Sequence, residues 1–308
     1  MQKPFENPPM GIKSVFHAAS GGLFSLLLFL QLILTNIAQT LSLVLFPFSR
    51  RAFRSFNRLC AGSWWGSCVV IAQWLHGSRL IYTGDTLPDR ENAIVISNHQ
   101  QMTDIFVLMM LAKPRGRLGD LKWFVKDVIK YVPGVGWGML FLDCLYVKRD
   151  WDADKDRIST TFSKFQKNQI PIWLISFVEG TRIKPEKLKR SQKFAREKGL
   201  PVLENVLLPR TKGFAASVQG LSGHAKAVYD VTIGYPAGPP NLWQMASGKA
   251  TEFHIHVRRF SLTELPSNPV ELASWLVTRY QEKDQLLKQF QLKGAFASVN
   301  GRSQALVP

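Results

Sequence analysis

The pattern of apolar and polar residues separates an apolar N-terminal stretch from a longer region of alternating short runs. From Ser14 to Ser49 there is no Lys, Arg, Asp or Glu, and the most apolar part is Gly22 to Phe48. As one helix this part would be about 40 Å long, against a bilayer hydrocarbon core of about 30 Å. The sequence therefore predicts an N-terminal membrane-anchoring helical segment over residues 1–59.

This apolar stretch is compatible with two membrane arrangements. One is a single tilted span. The other is a pair of short helices that dips into one leaflet, with Thr35, Asn36 and Gln39 near the bend. A cleaved signal peptide is the competing interpretation, but its apolar core would be shorter.

A basic segment follows directly, and its arginines recur at helical spacing. Basic residues next to an apolar segment favour a cytoplasmic, phospholipid-facing location. The next run, Cys60 to Leu75, is uncharged and carries three tryptophans, so it is either an interfacial helix near the headgroups or an ordinary core helix. The arginines are Arg50, Arg51, Arg54 and Arg58.

From Ser78 onward, β-branched runs alternate with helical patterns. The strand candidates are "RLIYTG", "AIVISN", "CLYVKR", "IPIWLISF", "AVYDVTIGY" and "TEFHIHVRRF", and the helix candidates are "TDIFVLMMLA", Lys155 to Lys167 and "ELASWLVTRYQEKDQLLKQF". This alternation predicts an α/β fold with a mixed central sheet flanked by helices. We assign residues 60–290 to this domain and residues 291–308 to a flexible tail.

The charge balance points to anionic partners. With 39 Lys plus Arg against 22 Asp plus Glu, the formal net charge is +17. Such a surface attracts phosphorylated substrates, an anionic membrane face or nucleic acid. The basic residues are not interleaved with aromatics on a recognisable nucleic-acid module, so no nucleic-acid partner is expected.

The stretch "VISNHQQMTD" places a histidine and an aspartate five residues apart where a strand gives way to a helix. On an ideal helix His99 and Asp104 would point about 140° apart, so they meet only if His99 lies on the turn before the helix. In that case the carboxylate can orient the imidazole while the other ring nitrogen faces a substrate hydroxyl. A structural capping histidine is the alternative.

Four ordered blocks, including this one, resemble those of the glycerolipid and lysophospholipid acyltransferases. They span about 120 residues, and "YDVTIGYP" and "FHIHVRRF" also resemble downstream strands of that family. The blocks are "NHQQMTD", "GWGMLFLDCLYVKRDW", "FVEGTR" and "LLPRTKGF". The resemblance implies the glycerolipid acyltransferase-like fold, with no cofactor and no metal.

The resemblance also implies roles for individual residues. His99 would be the general base, and Asp104 would orient it. The third block would hold the acceptor's phosphate, with Arg182 as the anion ligand and Glu179 orienting Arg182 or Thr181. The residues for which it implies substrate binding are Arg149, Glu179, Gly180, Thr181, Arg182 and Pro209.

The implied reaction transfers a fatty acyl group from acyl-CoA or acyl-carrier protein to the free hydroxyl of a lysophospholipid. Gln101 and Val178, where many members have Ser and Pro, together with "PRTKGF", resemble the branch that contains the 1-acylglycerol-3-phosphate acyltransferases and the lysocardiolipin or lysophosphatidylinositol acyltransferases. Within it we expect 1-acyl-sn-glycerol-3-phosphate as the acceptor, which gives phosphatidic acid. A lysocardiolipin or lysophosphatidylinositol acyltransferase is the alternative within the family. A non-catalytic protein that binds anionic lipid is the alternative of another class, although it would be expected to lose His99 or Asp104.

The implied location is a membrane, with the active site at the cytoplasmic face. It would be the endoplasmic reticulum in a eukaryote and the inner membrane in a bacterium. Other reactive residues have structural interpretations: Cys144 is expected to pack beside a strand, and "PGVGWG" to form a turn. His254 and His256 share one strand face, but no partner pair has metal-ligand spacing, so no metal is expected.

Overall fold

The computed structural model describes residues 12–148, 150–297 and 304–306. The α-helices in these ranges are α1 (Ile12–Leu41), α2 (Arg50–His76), α3 (Thr103–Ala112), α4 (Val135–Leu140), α5 (Trp151–Lys167), α6 (Pro185–Glu197), α7 (Thr211–Gly220), α8 (Leu242–Ala246) and α9 (Pro269–Lys293). The strands are β1 (Arg79–Gly84), β2 (Ala93–Ser97), β3 (Leu121–Lys126), β4 (Leu145–Val147), β5 (Trp173–Ser176), β6 (Ala227–Gly234), β7 (Glu252–Ser261) and β8 (Gln304–Leu306).

All the described strands form one mixed sheet in the order β4-β3-β5-β2-β6-β7-β1-β8. The first five of these neighbours run parallel to one another. β7 pairs antiparallel with β6 and parallel with β1, and β8 closes the order antiparallel to β1. The predicted mixed α/β sheet is confirmed, and the carboxyl ends of β4, β3, β5, β2 and β6 meet at one edge.

Helices cover both faces of this sheet. α2 and α3 pack on one face through a core that includes Trp65, Phe106 and Phe253. α5, α7 and α9 pack on the other face around Phe214 and Leu276. Burial of these apolar side chains on both faces is what holds a largely parallel sheet together.

The sequence prediction missed β3, which reads "LKWFVK". Lys122 lies within this strand and is only 2% exposed, although lysine is rarely buried so completely. Because a lysine inside an apolar run normally indicates a surface position, the sequence pattern does not identify β3 as a central strand.

The N-terminal stretch is one long helix rather than two short ones. α1 continues through Thr35, Asn36 and Gln39, so of the two predicted arrangements the one with a bend at these residues does not hold. The chain turns instead after a 3₁₀ segment at Ser42–Leu45, and the hydroxyl of Ser49 caps α2 by accepting a hydrogen bond from Ala52 N. Asparagine and threonine in α1 bond to backbone carbonyls one turn earlier, which lets the helix continue.

α2 contains both the basic segment and the tryptophan-rich run. It passes without interruption through the predicted domain boundary between residues 59 and 60. Trp65 is buried and Trp74 is exposed, so the helix presents one face to the core and another to its surroundings. The indole of Trp64 donates to the backbone carbonyl of Leu28, which fixes α2 against α1.

The C-terminal end is more ordered in the structure than the predicted tail. α9 extends to Lys293 and ends at Gly294, whose φ of 72° is the left-handed conformation that favours glycine. Beyond it, Phe296 is buried, and β8 adds to the edge of the sheet beside β1.

Candidate active site

His99 lies in the short turn between β2 and α3. β2 is fully buried, and every residue of α3 except Ile105 is buried. Asn98 anchors the turn by a pair of hydrogen bonds with the backbone of Ile233 in β6, at 3.0 and 2.8 Å. The turn is therefore tied to the neighbouring strand immediately before His99.

Asp104, in the first turn of α3, accepts hydrogen bonds from three donors in the turn between β2 and α3. Its Oδ2 accepts from His99 Nδ1 at 2.8 Å and from the backbone N–H groups of Gln100 and Gln101 at 2.6 and 2.9 Å. The two side chains meet because His99 precedes the helix. With a proton on Nδ1 donated to the carboxylate, Nε2 is left with its lone pair and can accept a proton.

Tyr235 is a partner of Asp104 that the sequence analysis missed. Its hydroxyl donates to Asp104 Oδ1 at 2.6 Å. Burial and the charge of Asp104 raise the pKa of Tyr235 well above its ordinary value, so the phenol keeps its proton. The only signal in the sequence was its place at the end of "YDVTIGYP", since β6 lies next to β2 in the sheet.

The loop after β5 holds His99 from the other side. The backbone N–H of His99 donates to Glu179 Oε1, and its carbonyl accepts from the backbone N–H of Ile183, both at 2.8 Å. The imidazole stacks on the ring of Phe177 with centroids 4.0 Å apart. Both the backbone and the ring plane of His99 are thus fixed by this loop.

Glu179 has a different position from the one predicted. Within the described residues its carboxylate bonds to neither Arg182 nor Thr181, but to the backbone N–H groups of His99 and Leu207, at 2.8 and 2.9 Å. Burial raises the pKa of Glu179 to about 8. The side chain therefore joins the first, third and fourth sequence blocks, and its two oxygens are already engaged.

Arg182 lies at the same edge of the sheet. It donates one long hydrogen bond, 3.4 Å, to the side-chain oxygen of Gln101, two residues beyond His99. Among the described residues it forms no ion pair. The guanidinium is half-buried, and its remaining N–H groups are available to an anion.

The other residues of the third and fourth blocks shape this loop. Gly180 has a φ of 70°, the left-handed backbone conformation that favours glycine. Thr181 accepts a hydrogen bond from Lys187. Pro209 is buried beside Arg210, whose backbone N–H bonds to Val178 O at 2.7 Å. Substrate binding by these residues stays a prediction, and Arg149 lies outside the described residues.

The remaining reactive residues have structural surroundings. Burial raises the pKa of the Cys144 thiol to about 11, which disfavours a thiolate nucleophile. His254 bonds to Glu252 Oε1 at 2.9 Å, and His256 to Thr83 Oγ1 at 3.1 Å. In the part of the chain that the structure describes, no three His, Cys, Asp or Glu side chains are grouped so that they could hold a metal ion.

Family models match most of the globular region. Residues 79–235 match the model described as acyltransferase, and residues 244–306 match the acyltransferase C-terminus. The chain is 36% identical over 256 residues to the probable 1-acyl-sn-glycerol-3-phosphate acyltransferase 5 of Arabidopsis thaliana, covering 83% of this chain and 68% of that protein. It is 35% identical to the human 1-acyl-sn-glycerol-3-phosphate acyltransferase gamma, covering 85% and 71%.

A solved structure shares the fold. The 1-acyl-sn-glycerophosphate acyltransferase of Thermotoga maritima superposes with a TM-score of 0.51 at 18% identity, over 90% of this chain and all of that one. The family models and the relatives show that the chain belongs to the glycerolipid acyltransferase family and is an O-acyltransferase of phospholipid biosynthesis.

Proposed function

We propose that this protein transfers a fatty acyl group from acyl-CoA or acyl-carrier protein to the free hydroxyl of 1-acyl-sn-glycerol-3-phosphate, giving phosphatidic acid. The relatives that carry this activity in their names support the acceptor. The observation that carries the chemistry is the 2.8 Å hydrogen bond between His99 Nδ1 and Asp104, which leaves Nε2 able to accept a proton.

In the proposed reaction, His99 Nε2 takes the proton of the acceptor hydroxyl while the oxygen of that hydroxyl attacks the thioester carbonyl carbon. The carbon–sulfur bond then breaks, the departing thiolate takes the proton from His99, and the ester and the free thiol leave. The backbone N–H groups of residues 99–101 are bonded to Glu179 and Asp104. They are therefore not free to stabilise the oxyanion, and a donor for it must come from elsewhere.

Arg182 is the proposed ligand of the acceptor's phosphate. It lies close to the His99 turn through Gln101 and is half-buried, and its one side-chain hydrogen bond to the described part of the protein is the long one to Gln101. A planar guanidinium can donate two parallel hydrogen bonds to a phosphate. A phosphate bound there would hold the glycerol hydroxyl near His99, since both groups lie at the same edge of the sheet.

We further propose that α1 lies in one leaflet of the membrane rather than crossing it. The segment Val15–Leu45 is long and apolar enough to cross a bilayer, and little of it is buried. However, α1 touches the α/β domain along most of its length, from His17 Nδ1 at Ser247 O (2.8 Å) to Gln39 Nε2 at Gly138 O (3.4 Å). These contacts are about 33 Å apart along the helix, which favours a helix that lies alongside the domain.

The test is thiol release from long-chain acyl-CoA by the purified full-length protein with a panel of acceptors. We expect turnover with 1-acyl-sn-glycerol-3-phosphate to exceed turnover with lysophosphatidylinositol and monolysocardiolipin at least tenfold, because Arg182 suits a terminal phosphate. A higher rate with either of the other acceptors would overturn the proposed acceptor. Binding to anionic vesicles without any thiol release would instead indicate the non-catalytic alternative.

A further inference from the structure

A second apolar surface lies on the α/β domain itself. The segment Val128–Leu140 begins in a 3₁₀ turn at Asp127–Tyr131, directly after β3, and ends with α4. Five of its large apolar side chains are between 45% and 71% exposed. They are Val128, Tyr131, Val132, Trp137 and Leu140.

The composition of this segment is unusual for a surface. From Val128 to Leu142 the only charged residue is Lys130, which is neutralised by Asp127 at 2.8 Å. Elsewhere on the α/β domain, among the described residues, exposed large apolar residues occur singly, as Val270 and Leu292 do, or as one pair, Leu242 and Trp243. Scattered exposed apolar residues are normal, whereas a contiguous group marks a surface that contacts something apolar.

The segment is continuous with the apolar face of α1. A Cβ on Gly134 would lie 2.8 Å from Leu32 Cδ2, and one on Gly138 would lie 3.3 Å from Gln39 Oε1. α4 therefore runs beside the half of α1 between Leu32 and Gln39, inside the apolar stretch Val15–Leu45. An apolar phase that contacts the exposed side of α1 between Leu32 and Gln39 therefore also contacts the side chains of α4.

We propose that Val128–Leu140 is a second membrane-binding element, which inserts its apolar side chains into the lipid surface that α1 enters. This inference rests on the membrane attachment proposed above. Aromatic side chains such as Tyr131 and Trp137 are suited to the boundary between headgroups and acyl chains. The occupant is a lipid surface rather than a second copy of this chain, because the exposed basic residues around the patch would repel one another in a dimer and attract anionic headgroups. These residues are Lys126, which directly precedes the element, and Arg50 and Arg51 at the start of α2, where the ring of Phe53 lies 6.1 Å from that of Phe141 just beyond α4.

The position of the element gives it a consequence for catalysis. It leaves the sheet at the carboxyl end of β3, and β3 is separated from β2 by β5 alone. Two strand spacings are about 10 Å. Insertion at this point would therefore hold the His99 edge of the sheet close to the membrane surface, where the hydroxyl of a lysophospholipid lies.

The experiment uses single cysteines that carry an environment-sensitive fluorophore, in full-length protein with Cys60, Cys68 and Cys144 replaced by alanine. The labelled positions are Tyr131→Cys and Leu140→Cys in the element, Leu34→Cys in α1 and Val270→Cys as an exposed control on α9. Vesicles contain phosphatidylcholine and an anionic phospholipid, with quenchers at known acyl-chain depths. Turnover with a short-chain soluble acceptor confirms that each labelled protein is folded.

We expect labels at positions 131, 140 and 34 to be quenched at least fivefold more by the lipid quenchers than the label at position 270. If the label at 34 is quenched while those at 131 and 140 match 270, the second element does not insert and this inference is overturned alone. If the label at 34 also matches 270, the proposed membrane attachment fails as well. Labels at 131 and 140 that respond only to a second, lipid-free copy of the protein would indicate a dimer interface and overturn the inference.

Discussion

The surroundings of His99 and the outer face of α1 are built by opposite means. Around His99, three successive backbone N–H groups are bonded to buried carboxylates, and the imidazole is held by Asp104 and Phe177. Along α1, the exposed surface of Val15–Leu45 is apolar and carries no charged residue. Directional hydrogen bonds fix the orientation of the His99 imidazole, whereas apolar contact has no preferred direction. The chain thus combines a rigid reaction centre with an adaptable surface, and changes in one should leave the other intact.

Removing the proposed base should have the largest effect and should be confined to the reaction centre. We expect His99→Ala to lower acyl transfer by roughly 10²- to 10⁴-fold, the usual contribution of general base catalysis, with vesicle binding unchanged. Steady-state thiol release and vesicle flotation measure the two properties. His254→Ala, a buried histidine on β7, is the matched control and should retain activity. Near-normal turnover by His99→Ala would contradict the mechanism.

Replacing Arg182 tests whether this side chain binds the phosphate of the acceptor. We expect Arg182→Ala to raise the KM for 1-acyl-sn-glycerol-3-phosphate by roughly 10- to 100-fold, the magnitude of a lost charge-assisted hydrogen-bond pair. The KM for acyl-CoA should change little, and the exposed Arg190→Ala on α6 is the control. If the variant raised only the KM for acyl-CoA, Arg182 would instead bind the phosphates of the donor.

The outer face of α1 can be changed without disturbing the site. We expect the triple variant Leu30→Gln, Leu34→Gln and Leu41→Gln to lose about tenfold in activity on vesicle-bound acceptor, since each exposed leucine contributes apolar contact with lipid. Activity on a short-chain soluble acceptor should stay within about twofold. Equal losses in the two assays would indicate that α1 supports the fold rather than the membrane contact.

The smallest expected effect on activity is that of replacing Glu179, whose carboxyl group accepts a hydrogen bond from the backbone N–H of His99. Above pH 8 Glu179 is a carboxylate whose two oxygens both accept from backbone N–H groups, whereas in Glu179→Gln the amide NH₂ would face one of them as donor to donor. Losing one hydrogen bond of about 1 kcal/mol at this pH corresponds to about fivefold. We expect this loss in kcat, with the acceptor KM unchanged, because Glu179 positions His99 and does not touch the phosphate. A change confined to the acceptor KM would restore the role predicted from the sequence.

The same variant changes the pH dependence of stability. With a pKa of about 8 in the folded state against an ordinary 4.5, folded Glu179 keeps a proton that the unfolded chain has released. Its contribution to the free energy of unfolding is therefore lost as the pH rises from about 4.5 to 8. Thermal midpoints measured across this window should fall less steeply in Glu179→Gln than in the wild type. Parallel profiles would show that the carboxyl group does not carry the raised pKa.

Local sequence patterns were enough to predict most strands of the sheet and the contact between His99 and Asp104. The strands "AIVIS" and "AVYDVTIG" are uniformly buried, so their apolar runs identify them. β3 escaped detection because Lys122 is buried inside it. One alternative placed a bend in α1 because polar residues in an apolar run look like a turn, but here Asn36 bonds within the helix and Gln39 bonds to Gly138 at α4.

The parts of the site that could not be predicted from the sequence depend on groups that are far apart along the chain. Glu179 bonds to the N–H groups of residues 80 positions earlier and 28 positions later. Tyr235 reaches Asp104 across 131 positions. Backbone N–H groups are the same in nearly every residue, so no sequence motif predicts a hydrogen bond to one of them. A side chain that acts through the backbone is thus easily mistaken for one that binds the substrate.

The strand order also determines when the site can assemble during synthesis. β2 lies between β5 and β6, which follow it by about 80 and 130 positions in the chain. α1 and α2 emerge from the ribosome before any strand, whereas the partners of His99 and Asp104 emerge only once residue 235 has been made. Long-range pairing of this kind is slow compared with helix formation. If α1 binds lipid as proposed, the nascent chain reaches the membrane while His99 still lacks its contact partners Glu179 and Tyr235-bound Asp104.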